Sequence, residues 1–249
     1  MKKYLFLAFI AFVLCGCGDS HEALDNTTDK TDETRKDENN DDEFKYPDAT
    51  GAWASPYFIT EYLVAAEIAV ENKNGTLCLK VSGDEYYTHF PSDIPKEALE
   101  LANMYNDNSY NRAIHPGMTP ALAYPIEKIS INCDADFDAE HSAGEPLDDI
   151  AQLEYCSFYP FIENGYKHFP ITYEWPYGDR IRYTLKFADI NADVTKLMWA
   201  YFLTSKISPS YVAKIDFVSQ PETPGEYTFT LEMTTNGETL KTEFTHTFE

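Results

Sequence analysis

Positive charge is what this sequence has least of. Its 19 lysines and arginines stand against 42 aspartates and glutamates, for a formal charge of −23 over 249 residues. A phosphate backbone or an anionic lipid surface would repel such a chain, which excludes nucleic acid as a partner. Long hydrophobic runs are also missing: beyond an apolar stretch from Leu5 to Leu14, itself too short to span a bilayer, there is no candidate transmembrane segment. Catalytic signatures are absent as well, with no nucleophile elbow, no zinc-binding histidine pair and no phosphate loop. The five cysteines follow no zinc-site spacing, and the six histidines are scattered along the chain. Each histidine reads as a surface or packing residue.

What is present begins at the N-terminus. Lys2 and Lys3 precede the apolar run, the layout of a secretory signal. Leu14-Cys15-Gly16-Cys17 then places a leucine three positions before a cysteine, with small residues between. This resembles the lipobox of bacterial lipoproteins. The resemblance implies a signal peptide over 1–16, lipidation of Cys17 and a mature chain that starts there, held at a membrane by acyl chains worth about 0.8 kcal/mol per buried methylene. Lipidated Cys17 could not pair, which leaves Cys78, Cys133 and Cys156. One disulfide with one thiol, or three buried thiols, both fit.

From Gly18 to Lys45 the chain has eleven acids, four bases and almost no apolar residue. Such a segment cannot offset its ordering entropy by burial, so 17–45 reads as a disordered tether, reaching roughly 90 Å at full stretch and roughly 30 Å as a coil. Acidic residues soon after the lipidated cysteine also resemble the surface-export signal of lipoproteins in the Bacteroidota. That implies an outer-membrane anchor with the domain facing the cell surface.

Residues 46–249 read as one β-rich domain. Fourteen prolines, 18 tyrosines and 16 phenylalanines suit pleated surfaces joined by turns. Tyr57 to Val70 begins with β-branched and aromatic residues and continues with alanines, so strand and helix both fit until Asn74-Gly75 and the alternating Leu77, Leu79 and Val81 point to a hairpin. Pro95 to Tyr105 carries proline in its first turn and Ala98, Leu99, Leu101 and Ala102 on one face, which predicts a helix. Asn106 to Pro120 reads as a loop carrying Arg112 and His115. Strands are expected over Tyr124–Cys133, Tyr155–Phe161, Ile181–Phe187 and Ala213–Val218. Asp193 to Ser205 fits a helix or a buried strand. Tyr227 to Met233 alternates cleanly, Asn236-Gly237 is a strong hairpin turn, and Leu240 to Phe248 alternates back. This ending looks like the last two strands of immunoglobulin-like bacterial sandwiches. The expected architecture is mainly β: an immunoglobulin-like β-sandwich with one or two short helical insertions, behind the tether.

Between Cys133 and Ile150 an acidic-aromatic loop leads to His141-Ser142-Ala143-Gly144 and then to Leu147-Asp148-Asp149. The stretch resembles one in uncharacterised lipoproteins of the Bacteroidota, where His-Pro-Ala-Gly-like and Leu-Asn-Asp-like segments occupy these places. With the terminal hairpin, the resemblance covers about the last half of the chain, and it implies a β-rich envelope protein with no assigned chemistry.

Two groups are candidate sites. Asp134, Asp136, Asp138 and Glu145 fall on positions 1, 3, 5 and 12 of a calcium-binding loop, although Ala139 replaces the glycine of position 6. The competing reading is a solvated acidic turn in which Phe137 enters the core, and it is the one expected here, with calcium as the alternative ligand. Trp175, with Tyr173 and Tyr177, could form a stacking surface for a sugar, as could Trp53, although most aromatic rings in such a chain belong to its core. The function that follows is a non-enzymatic binding or assembly module of the cell envelope, joined to the membrane through Cys17 and engaging a glycan or another envelope protein. The alternative is a secreted-type hydrolase using a carboxylate pair or Cys156.

Overall fold

The computed structural model describes residues 54–88, 93–113, 119–167, 182–202 and 211–249. Cys17, the acidic tether and Trp53 lie outside them, as do Trp175, Tyr173 and Tyr177. In chain order the described residues form β1 (Ala54–Ser55), β2 (Glu61–Lys73), β3 (Thr76–Tyr87), α1 (Lys96–Met104), β4 (Arg112–Ala113), β5 (Pro120–Leu122) and β6 (Ile126–Cys133). There follow β7 (Ala151–Cys156), α2 (Tyr159–Glu163), β8 (Arg182–Lys186), a 3-10 turn (Phe187–Asp189), β9 (Ala213–Phe217), β10 (Gly225–Thr235) and β11 (Glu238–Phe248). A three-stranded sheet in the order β11-β10-β6 packs on a six-stranded sheet in the order β5-β2-β3-β9-β7-β8, and β1 pairs with β4 alone. The fold is mainly β and sandwich-like, with two short helices. All pairings are antiparallel except β2 with β5.

The terminal hairpin follows from local chemistry. Asn236 and Gly237 take φ of 51° and 73°, the left-handed pair that a tight hairpin turn requires. The register then runs without a break from Thr235 opposite Glu238 to Gly225 opposite Phe248. Tyr227, Phe229, Leu231 and Met233 face inward, where they meet Ile129 and Ile131 of β6 and Leu79, Leu153 and Ile215 of the larger sheet.

The ambiguity of Tyr57–Val70 has a structural cause. The β2–β3 register slips between Ala65 and Glu67. Leu63 and Ala65 face the core before this bulge, and Ile68 and Val70 face it afterwards, so the period of two is broken in mid-strand. Gly83 sits at the crossing, where an added Cβ would stand 1.9 Å from the Val64 carbonyl oxygen. Only glycine lets the two backbones meet there.

A second apolar layer covers the outer face of the six-stranded sheet. Tyr62, Ala121 and Cys156 of the sheet meet Leu101 and Ala102 of α1 and Phe161 and Ile162 of α2. The expected strand over Tyr155–Phe161 is therefore split. It ends at Cys156, because Pro160 cannot donate to a ladder but suits the first turn of α2, where Ser157 Oγ accepts the Tyr159 N–H at 3.1 Å. The described part of Asp193–Ser205 is neither a helix nor a regular strand. Leu197 has φ 50°, and Met198 and Trp199 after it form single bridges to Ser157, just past the end of β7, and to Ala121 of β5. There the Leu122 N–H reaches the Met198 carbonyl and the Trp199 N–H reaches that of Cys156, at 2.8 and 2.9 Å. Met198 and Ala200 enter the inner core while Leu197 and Trp199 enter the outer layer, which is why the segment is apolar all round. The region expected as a loop between Asn106 and Pro120 contains β4.

Candidate functional site

The loop between β6 and β7 is built from its carboxylates outward. Asp134 Oδ1 accepts the Thr228 N–H at 3.0 Å, and Asp136 Oδ1 accepts that of Ala143 at 2.8 Å. Asp138 Oδ1 accepts the N–H groups of Glu140 and His141, both at 2.9 Å. Asp148 accepts the Ser130 hydroxyl and, at 2.9 Å, the Ile131 N–H. Glu145 is exposed. The positive φ of the loop falls on Gly144 (83°) rather than on Ala139, so the turn of a calcium-binding loop is not formed. Asp134, Asp136 and Asp138 each serve a different backbone donor, and among the described residues no group of three His, Cys, Asp or Glu side chains is placed to hold a metal ion. Phe137 turns inward as expected: it is fully buried, with its ring centroid 5.6–5.9 Å from those of Phe217, Tyr227 and Phe248.

In the sequence His141 opens the segment that runs to Gly144, but no role for its ring is legible there. Its Nδ1 lies 2.7 Å from Asp138 Oδ1 and its Nε2 lies 3.0 Å from Asp149 Oδ1. Carboxylates only accept, so bonds at both ring nitrogens require the imidazolium. Burial opposes that charge, but the two carboxylates outweigh it and hold the imidazole pKa above its ordinary 6.5. Because the folded value is the higher one, the stabilisation is complete below pH 6.5 and is lost as the pH rises through the folded pKa. The melting temperature of the protein should therefore fall between about pH 6 and pH 9 by more than that of His141→Gln. Parallel curves for the two proteins would refute the clamp.

Two more carboxylates are buried. Asp107 is fully enclosed beside the outer layer, where its oxygens accept the Phe58 and Ile59 N–H groups, each at 2.8 Å, and the Tyr166 hydroxyl at 2.9 Å. Burial raises its pKa despite these bonds. Glu61, at the start of β2, accepts the Tyr201 hydroxyl at 2.9 Å, and its pKa is also raised, chiefly by burial. Alternation along β2 puts Glu61 on the Leu63 side of the sheet and Tyr62 on the other, toward the layer that holds Asp107. The two acids are thus divided by the sheet rather than joined in a cleft. Cys78, Cys133 and Cys156 are buried thiols. Burial raises the thiol pKa of Cys78 and Cys133, and the described histidines, His141 and His246, make their ring hydrogen bonds to Asp138, Asp149 and Asn72.

A cleft of about 140 Å³ opens where the β2–β3 turn meets the ends of β9 and β11. Its lining draws on Leu77, Ile215 and Phe217 as well as Asp216, Gln220 and His246, and the surface it exposes is mostly polar. These residues are far apart in sequence, and no local pattern announces them. No family model matches the chain, and neither the curated proteins nor the solved structures yield a match.

Proposed function

We propose that this chain is a lipid-anchored protein of the outer membrane, facing the cell surface, that works by binding rather than by catalysis. Its partner is an extracellular glycan or another envelope protein, and it needs no cofactor. The observation that carries the binding reading is the use made of the ionisable groups. Asp107, Asp134, Asp136, Asp138 and Asp148 accept backbone N–H groups, Glu61 accepts a tyrosine hydroxyl, and the thiols are buried. A general acid or nucleophile needs a lone pair or proton directed at substrate, and these groups spend theirs within the fold. The Leu14–Cys17 pattern, the acidic tether and the likeness to Bacteroidota lipoproteins support the location.

Cells fed an alkynyl fatty acid should label the intact protein, and Cys17→Ala should abolish the label. Protease added outside whole cells should remove the domain. The intact protein, purified in detergent, should retain glycans on an array and release no product. Cleavage of a retained glycan would overturn the non-enzymatic reading.

A further inference from the structure

We propose that Asn72 and His246 form a latch between the two sheets, closed while the imidazole is neutral and released when it takes up a proton. Alternation places Asn72 on the inner face of β2, in line with Ile68 and Val70, and His246 on the inner face of β11, between Phe244 and Phe248. The two strands lie side by side at the border of the sandwich but share no ladder, so the contact between these side chains spans a seam that backbone bonds leave open. Gly75 and His246 both line the cleft described above, and releasing the turn opens that cleft.

The atoms of the amide are assigned by their partners. The Gly75 N–H can only donate, so the Asn72 atom 2.9 Å from it is the oxygen, Oδ1. Nδ2, which has only hydrogens to offer, then faces His246 Nδ1 at 3.3 Å. That ring nitrogen must keep its lone pair, which puts the ring proton on Nε2. Protonation of the imidazole would set N–H against N–H. Rotating the amide by half a turn only moves the conflict to Gly75, whose N–H is held in place by the left-handed φ of Asn74 (55°) and of Gly75 itself (85°).

No charge faces the imidazole. Phe248 meets it edge-on, with centroids 4.6 Å apart and an interplanar angle of 86°, and Tyr227 across the β10–β11 ladder spends its hydroxyl on the Thr223 carbonyl at 2.7 Å. Gln220 is uncharged. Asp216 alternates to the outer face of β9, where Lys214 pairs with it, and Glu71 and Lys73 pair at 2.8 Å on the outer face of β2. Burial is therefore what holds the His246 pKa below 6.5. The stabilisation is complete above pH 6.5 and is lost as the pH falls toward the folded value, the opposite sense to His141.

The test uses the intact 15N-labelled protein in detergent. At about pH 8 the His246 ring should show the Nε2–H tautomer. Between about pH 8 and pH 5 the protection of the Gly75 amide against hydrogen exchange, corrected for its intrinsic rate, should fall about fivefold, which is the loss of about one hydrogen bond. His246→Gln keeps an acceptor without a titrating proton and should flatten this profile. Asn72→Asp should invert it, because a carboxylate still accepts the Gly75 N–H but attracts the imidazolium, so that protection rises on acidification. Both side chains reach solvent, and unfolding midpoints equal to the wild type at about pH 8 would show that the fold is kept. The Nδ1–H tautomer at about pH 8, a wild-type profile as flat as that of His246→Gln, or protection in Asn72→Asp that falls as the wild type's does, overturns the latch.

Discussion

Replacing Phe137 by alanine should lower the unfolding free energy by about 3–5 kcal/mol, measured by urea denaturation. The size of the effect is unexpected for a residue flanked by aspartates in a connecting loop. It follows from complete burial and from three aromatic neighbours drawn from β9, β10 and β11, which would be left facing a cavity. Asp136→Ala, one residue away, removes only the bond to the Ala143 N–H at an exposed position and should cost about 1 kcal/mol. If the two substitutions cost the same, the loop is not anchored through its phenylalanine.

The second large effect is expected at Asp107. Alanine there would leave the Phe58 and Ile59 N–H groups and the Tyr166 hydroxyl without their acceptor in a closed interior, at about 1–3 kcal/mol for each buried group. The total should reach about 3–5 kcal/mol, since neighbouring losses do not simply add. Asparagine keeps one acceptor oxygen but turns an amide N–H toward a backbone N–H, and should recover less than half of the loss. The pH dependence distinguishes this acid from the loop acids. Its folded pKa is raised, so its contribution is fullest below the unfolded value of 3.8 and declines as the pH rises through the folded value. The advantage of the wild type over Asp107→Asn should shrink over that window. Asp138 behaves oppositely: burial is outweighed by its bonds to Glu140 and His141, its pKa is lowered, and its contribution is lost on acidification. A wild-type advantage over Asp107→Asn that grows with rising pH would contradict the enclosed, proton-favouring site.

What the sequence made legible is what short-range chemistry determines. Asn236-Gly237 dictates its turn, and that turn carries an unbroken register. Ala98, Leu101 and Ala102 on one face mark α1, and Phe137 between aspartates marks a side chain that must leave the water. Longer relations were not legible. Asp107 lies in a polar stretch like many others, and its role is created by donors 48 and 49 residues away. Residues 197–200 face two apolar layers, which erases any periodicity. The β2 bulge breaks alternation where alanines invite a helix. His141 acquires its role only when the loop brings Asp138 and Asp149 to opposite sides of its ring, and the cleft draws its polar atoms from β9, the segment after it and β11.

The way the acidic loop lies along β6 bears on how copies of this domain could live side by side. The Leu147 N–H meets the Ile131 carbonyl at 2.7 Å and the Gly144 N–H meets that of Cys133 at 2.8 Å, while Asp148 takes the Ile131 N–H at 2.9 Å. These are the outward-facing backbone groups of a border strand, and the loop consumes them. At the opposite border β11 runs beside β2, and β8 on the larger sheet exposes Arg182 and Lys186. Anchoring by a lipid would confine the molecules to two dimensions and force frequent collisions between neighbours. Unsatisfied strand borders would then seed aggregation, and covered or charged ones let the molecules crowd without sticking.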